Sequence, residues 1–346
     1  MRLDRIGDVV LSTPVLAALR QQFPHAFIAM MVRPECRELV ERHPALNEVL
    51  VYEKGGVHRS WRGTLRFARG LRRYAFDAAL ILHPSNRSHW IPWLARIPVR
   101  IGYDRKCAWL LTHRVPHRKQ EGERHEAVYS LQLLELFGIP VATPRASIPV
   151  HEAARRRMEE LLTEASVQSS DVLVALHPSA SCISKRWMPE RFAAVADRLI
   201  DVHRVRICLV AGPEDVSSAL GVLQAMRHPV VNLAGRLSLG ELAAVLRRSR
   251  LLISNDSGPV HIAAAVGTPV VDIFGRNQRG LSPGRWGPLG TGHLVLHKEV
   301  GCVTCLAHRC DIEFRCLTAL TVEEVYQAAV TLLARPAAAG TPAPTG

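Results

Sequence analysis

The sequence predicts a two-domain α/β protein with a Rossmann-like half at each end of the chain. Three observations carry this. At 346 residues the chain is long for one hydrophobic core and comfortable for two. Short apolar runs alternate with amphipathic stretches, the pattern of parallel strands covered by helices on both faces. The rhythm pauses at the polar stretch "EASVQSSD" and then restarts.

In the first half, Phe27–Val32, Val49–Tyr52 and Ala78–His83 read as strands. Val9–Gln22, Glu35–Arg42, Leu65–Tyr74 and Glu126–Phe137 read as helices. A charged helix, His151–Thr163, approaches the second half. There the strands expected are Val172–His177, Arg206–Ala211, Val230–Leu233, Leu251–Ser254 and Val270–Phe274, with helices at Pro189–Val202, Val216–Met226 and Leu239–Arg248. The domains expected are residues 1–165 and 166–333, the second with a cysteine cluster at 302–316 and a closing helix. Residues 334–346, of low complexity, read as a disordered tail.

A hydrophobic content of 48% argues against global disorder. No apolar run approaches the roughly 20 residues that span a bilayer, and the start lacks the apolar core of a secretory signal. A cytosolic protein is expected. Net charge is +13, and residues 54–124 carry 16 Lys/Arg against 4 Asp/Glu, a net of +12. The same stretch holds Trp61, Trp90, Trp93 and Trp109, four of the six tryptophans. Basic residues interleaved with Trp suit an anionic partner at a membrane interface, or a nucleic acid. The plainer alternative is a solvated face in an arginine-rich chain, which has 39 Arg and 5 Lys.

The strongest chemical motif is "SNDSGPVHIAAAVGTPVVDIFG", 254–275. A strand ends in polar residues, Asp256 or Ser257 can cap, and Pro259 opens a short helix that stops at Gly267. Amides of Ser257 and Gly258 at a strand's carboxyl end make a phosphate or diphosphate cradle. Gly258 admits a close ligand, and His261 in the first turn can donate to an anion. The alternative is a capped structural helix without a ligand. Lys185, a scarce lysine in a loop of small polar residues after a strand, is the best cation to face a diphosphate. Arg186 is a second cation or a surface residue, and Trp187 is expected to pack against the next helix. Glu214, after the turn "GP", can accept from ribose hydroxyls, or it can cap the helix near Val216, a task Asp215 suits as well. Asp8, in a Gly-Asp elbow before a helix, is either an N-cap or a carboxylate facing substrate.

These segments closely resemble the family 9 glycosyltransferases, the ADP-heptose:lipopolysaccharide heptosyltransferases. "NDSGPVHIAAAVGTPVVDIFG" is similar to the family signature. "RLDRIGDVVLSTPVLAALRQQFP", "FDAALILHPSNRS", "LHPSASCISKRWMPERFAAVADRL", "LVAGPED" and "NLAGRLSLGELAAVL" follow the family in order and approximate spacing, from residue 2 to about residue 330. The resemblance implies a GT-B fold, two Rossmann-like α/β/α domains facing across a central cleft. It implies acceptor binding on the first domain and nucleotide-sugar binding on the second. It further implies an inverting transfer that needs no metal, in keeping with the absence of an Asp-x-Asp pair. The diphosphate's charge would then fall to cations and helix dipoles.

By the same resemblance Asp8 is the general base, with Asp4 the weaker rival, and Gly7 lets substrate approach the backbone. Lys185 contacts the donor's phosphates, with Ser179 and Ala180 near them, and Glu214 holds ribose. Asp256, Ser257, Gly258 and His261 complete the donor site. Arg59, Arg62, Arg66 and Arg69, spaced by three and four on one side of a helix, are expected to meet an anionic glycolipid acceptor at the inner leaflet. Relatives usually carry a few more apolar residues before this motif, forming the first central strand. Either translation begins upstream of Met1, or Leu3–Ile6 is a stub strand.

Cys302, Cys305, Cys310 and Cys316, spaced C-x2-C-x4-C-x5-C, can form a closed tetrahedral zinc site. A reducing compartment disfavours disulfides. Some family members carry such a cluster and others lack it, so no cofactor is expected for catalysis. Two further readings remain. A GT-B transferase could use another nucleotide sugar or acceptor. A non-enzymatic basic protein could bind nucleic acid, but it leaves the 254–275 cradle without a purpose, so no nucleic-acid partner is expected.

Overall fold

In the computed structural model, residues 1–302 and 304–336 are described, and the chain divides into two units at Pro149–Val150. The division places helix Glu152–Glu164 with the second unit, whereas the sequence boundary at 165 puts it with the first. The expected disordered tail begins with Ala334, which caps the last helix. Residues 337–346 lie outside the described residues.

The first unit contains β1 (Ala29–Val32), β2 (Glu48–Val51), β3 (Ala78–Ile81), β4 (Val99–Tyr103) and β5 (His113–Val115). They form a parallel pair, β1-β2, and a parallel triplet, β3-β4-β5. The N-terminal residues lie between the two groups. Arg2 donates its amide to Met31 O at 2.9 Å, Met1 N reaches Leu80 O at 2.7 Å, and Leu82 donates to Met1 O at 3.2 Å. The two bonds of Met1 flank Ile81, which is the parallel pattern. The order is therefore β2-β1-N-terminus-β3-β4-β5, the 3-2-1-4-5-6 order of a Rossmann half. The stub strand expected at Leu3–Ile6 pairs instead at Met1 and Arg2, because a helix starts at Ile6.

The helix expected over Val9–Gln22 is two helices, Ile6–Val10 and Thr13–Gln22. Pro14 fits the first turn of the second helix, where its missing N–H costs nothing, and so marks a fresh start. Strands β4 and β5 and the helix Asn86–Leu94 were hidden in the basic stretch, where arginines interrupt the apolar pattern.

The second unit follows the sequence more closely. β6 (Leu173–His177), β7 (Arg206–Leu209), β8 (Val231–Asn232), β9 (Leu251–Asn255), β10 (Val270–Ile273) and β11 (Leu294–Leu296) form one parallel sheet, ordered β11-β10-β9-β6-β7-β8. Read from the other edge, this is again 3-2-1-4-5-6. Every residue of β6, β9 and β10 is buried. That is why these strands are continuous apolar runs rather than alternating ones. Val195, Leu199, Ile253, Ile273 and Leu332, each fully buried, share one core. Trimming one of these Leu or Ile side chains to Ala costs about 2–5 kcal/mol. Helices Leu239–Arg248 and Val322–Leu333 begin with capping boxes, Ser238 with Glu241 and Thr321 with Glu324.

Candidate active site

In each unit the chain order reverses beside its first strand, and ligands of open α/β sheets bind at the carboxyl ends of strands at such a point. In the first unit this places residues just after Arg2 beside those just after β3. Arg2 is 2% exposed and is the hub of the cluster formed there. Its Nε pairs with Asp4 at 2.9 Å, and its Nη2 pairs with Asp8 and, at 3.1 Å, with Glu126. Its Nη1 donates to Leu82 O at 3.1 Å. Lys119, also buried, pairs with Glu126 at 2.6 Å, and His83 with Asp4 at 3.0 Å. Gly7 is buried beside Asp8 in the helix Ile6–Val10.

Arg5 is the N-cap of that helix, so Asp8 lies inside the first turn and is not its cap. Its carboxylate is 8% exposed and turned to Arg2. Burial pushes the Asp8 carboxyl above the ordinary range, and Asp4 and Glu126 push the same way against Arg2. Burial also acts on Asp4, but there Arg2 and His83 outweigh it and hold that carboxyl low. Of the two rivals, Asp8 is therefore the stronger base. Arg2, Lys119 and Glu126 were not among the residues expected from sequence. The one signal was an arginine within the segment that pairs between β1 and β3, where a charge persists only if fully partnered.

In the second unit the reversal falls between β6 and β9. Lys185 follows β6 in the turn Ile183–Lys185, and Asp256 follows β9. The two buried groups meet, Nζ to Oδ2, at 2.5 Å. Asn255 braces them, donating to Pro178 O at 2.6 Å and accepting from the Trp187 amide at 3.0 Å. Gly275 permits this packing: a Cβ there would meet Ser184 O at 2.2 Å. Trp187 packs edge-to-face on Phe192, as expected.

Ser257 is the N-cap of helix Gly258–Ala265 by position, but its hydroxyl makes no cap bond. The hydroxyl instead contacts His177 Nδ1 at 3.1 Å and Ser254 Oγ at 3.2 Å. The helix start, with Gly258 in it, is thus left without a side-chain cap, and His261 is buried in the same helix. Burial lowers His177 to about 4, so it is neutral at pH 7. Ser179 and Ala180 are buried just after β6, and Ser179 Oγ has no hydrogen-bond partner among the described residues. Asp272 in β10 is fully buried, and neither oxygen has a hydrogen-bond partner among the described residues. Its carboxyl is pushed well above the ordinary range, first by burial and then by Asp256, against Lys185.

Glu214 is exposed in the turn Pro213–Asp215, and Asp215 takes the N-cap position of the next helix. Arg186 donates to Ala180 O at 2.8 Å and approaches Asp215 at 3.8 Å. Arg62, Arg66 and Arg69 are exposed on helix Trp61–Leu71. Arg59 precedes its cap, Ser60, so three of the four expected arginines share the helix and the fourth does not.

Cys302 is exposed, Cys305 and Cys310 are half-buried, and Cys316 is buried. Burial, and then the neighbouring Cys302, Cys310 and Cys305 sulfurs, push the Cys316 thiol up to about 11. The four thiols suit a soft ion by chemistry. Among the described residues, however, no three His, Cys, Asp or Glu side chains gather as a metal-holding group.

The family model for glycosyltransferase family 9 (heptosyltransferase) matches residues 64–314. Asp8 lies before that span, and the whole second-unit site lies within it. Lipooligosaccharide heptosyltransferase 2 of Haemophilus ducreyi is 27% identical over 292 residues, covering 80% of this chain and 83% of that protein. Lipopolysaccharide heptosyltransferase 3 of Escherichia coli is 28% identical over 280 residues, 78% and 80% of the two chains. A solved family 9 glycosyl transferase from Veillonella parvula superimposes with a TM-score of 0.87 at 27% identity, over 96% of this chain and 95% of that one. The E. coli ADP-heptose LPS heptosyltransferase II shares the fold, with a TM-score of 0.77 at 24% identity, over 96% and 98%. The protein has a GT-B fold, belongs to glycosyltransferase family 9, and is a glycosyltransferase of the heptosyltransferase class.

Proposed function

We propose that this chain transfers a heptose from ADP-heptose to an anionic inner-core lipopolysaccharide acceptor, inverting the anomeric carbon and using no metal in the chemistry. The observation that carries this reading is a pair of sites at the two switch points. One is built on a buried carboxylate of raised basicity, Asp8. The other is built on a buried lysine beside an uncapped helix start. The names of the relatives support the sugar and the acceptor.

In this reading Asp8 takes the proton of the acceptor hydroxyl as that oxygen attacks the anomeric carbon. A carbon–oxygen bond forms while the bond from the same carbon to the diphosphate breaks, and ADP leaves with the electron pair. Lys185 exchanges Asp256 for the diphosphate, and the Ser257 and Gly258 amides and the helix dipole offset the remaining charge. Ser179 Oγ, buried without a partner, donates to the same phosphates, and the Ala180 amide lies beside it. His261 donates to the donor from the helix, Glu214 accepts from ribose, and Gly7 gives the acceptor room. Arg59, Arg62, Arg66 and Arg69 meet the acceptor's acidic groups at the cytoplasmic face of the membrane. The cysteine cluster, if it gathers around zinc, serves structure and not chemistry.

A thermal-shift panel of ADP, UDP, GDP and dTDP sugars tests the donor. Stabilisation by ADP or ADP-heptose alone supports the reading. Lys185→Ala should weaken ADP binding about 10- to 100-fold, the worth of a charge-assisted contact. A response to UDP sugars equal to that for ADP, or none to any nucleotide, contradicts it.

A further inference from the structure

The four tryptophans of the basic stretch come together in the first unit. Trp90 sits at their centre, edge-to-face with Trp61 at 6.0 Å, Trp93 at 5.3 Å and Trp109 at 5.6 Å. They arrive from three elements. Trp61 opens helix Trp61–Leu71, Trp90 and Trp93 lie on helix Asn86–Leu94, and Trp109 is on the turn Ala108–Leu110. The cluster is not a core: Trp61 is 53% exposed, Trp93 44% and Trp109 62%. Three large indoles held half in solvent are a liability for an unpartnered protein, and such patches mark interaction surfaces.

The surroundings specify the partner. Arg87 lies over the Trp61 ring at 5.7 Å. Trp93 also lines a cavity of about 470 Å³ with Arg72, Arg96 and Arg100. Two of those guanidiniums are fixed by backbone carbonyls, Arg72 by Leu94 O at 2.9 Å and Arg100 by Leu110 O at 2.7 Å. From Lys54 to Tyr103 the chain has ten Lys/Arg and one carboxylate, Asp77. Indole rings settle at the headgroup level of a bilayer, where one side is apolar and the other wet. Arginines beside them pair with anionic lipid phosphates.

We propose that this face docks on an anionic phospholipid bilayer, with Trp61, Trp93 and Trp109 at the headgroup boundary and the arginine-lined cavity beside Trp93 taking a lipid phosphate. The docking face is the tryptophan cluster, with the arginines of helix Trp61–Leu71 flanking it. This deepens the reading of a lipid-anchored acceptor and rests on it for its purpose. Vesicle binding, however, needs neither donor nor acceptor, so the two fail separately.

The test uses the full chain with vesicles of phosphatidylcholine, alone or with phosphatidylglycerol, and no sugar donor. Partition should be at least tenfold stronger into the anionic vesicles and should weaken with salt. Lipids brominated near the headgroup should quench wild-type tryptophan emission, a readout that needs no variant. Trp61→Ser/Trp93→Ser/Trp109→Ser should lose at least tenfold in partition, and Trp109→Ser alone, the most exposed ring, a smaller part. The nucleotide thermal shift should be unchanged in both. Failure of wild type to bind anionic vesicles, or full binding by the triple variant, overturns the proposal. So does a face that binds an oligonucleotide or a second copy of the chain while ignoring vesicles.

Discussion

Replacing Glu126 by Gln isolates the electrostatics of Asp8, the proposed base. Glu126 Oε1 and Asp8 Oδ1 bond to the same nitrogen, Arg2 Nη2, the former at 3.1 Å. Two acceptors on one nitrogen lie about 5 Å apart. In an effective dielectric of about 20, two unit negative charges at about 5 Å repel by about 3 kcal/mol. Arg2 and Lys119, the latter 2.6 Å from Glu126, already share that charge, so only part of this repulsion reaches Asp8. Asp8 must be ionised to accept a proton. Removing a negative neighbour favours the ionised form, so its pKa falls. The acid limb of the kcat–pH profile should move toward lower pH, with little change in the plateau above it. Gln keeps an oxygen for Arg2 and Lys119, so the stability loss should stay within about 1–3 kcal/mol. The assay is initial rate against pH at saturating substrates, beside a melting curve. An acid limb that stays in place or moves upward in a folded Glu126→Gln variant would refute the coupling.

Asp272 gives a prediction of opposite sign in the second unit. Its folded-state pKa is raised well above the ordinary value, chiefly by burial. Its contribution to stability is therefore full below about pH 4 and is lost as pH rises through the folded value. Asp272→Asn cannot ionise, so it should be more stable than wild type near neutrality. The two melting temperatures should converge toward pH 4, and a variant less stable at all pH values would contradict this. Metal analysis tests the cysteine cluster: about one zinc per chain, lost with Cys302→Ser, supports a structural site. No stoichiometric metal in wild type removes that proposal.

The second unit was legible in sequence because its central strands are buried on both faces. Runs such as "LVALH" and "LLISN" therefore carry no polar interruption. Lys185, Asp256 and Ser257 could be placed at strand ends from those runs alone. The first unit was less legible for the opposite reason. The segment pairing between β1 and β3 carries Arg2, with Asp4 just after it, and β4 carries Arg100, so charge masks the pattern. Arg2 tolerates burial because carboxylates and a carbonyl surround it, and those partners come from as far as Glu126. No local spacing reveals such a contact. The exposure of the tryptophans is likewise a tertiary fact, since Trp61, Trp90 and Trp109 come from three separate elements. Asp272 sits in an apolar strand whose sequence gives no sign that its oxygens lack partners.

The proposed mechanism requires Asp8 to take the acceptor's proton. Asp8→Asn keeps an oxygen for Arg2 and removes only the basic group. Turnover measured beside ADP-heptose affinity tests this directly. A general base at Asp8 predicts a fall in kcat of about 10²- to 10⁴-fold with donor affinity unchanged. Turnover within about tenfold of wild type, below the range for losing a general base, would contradict it.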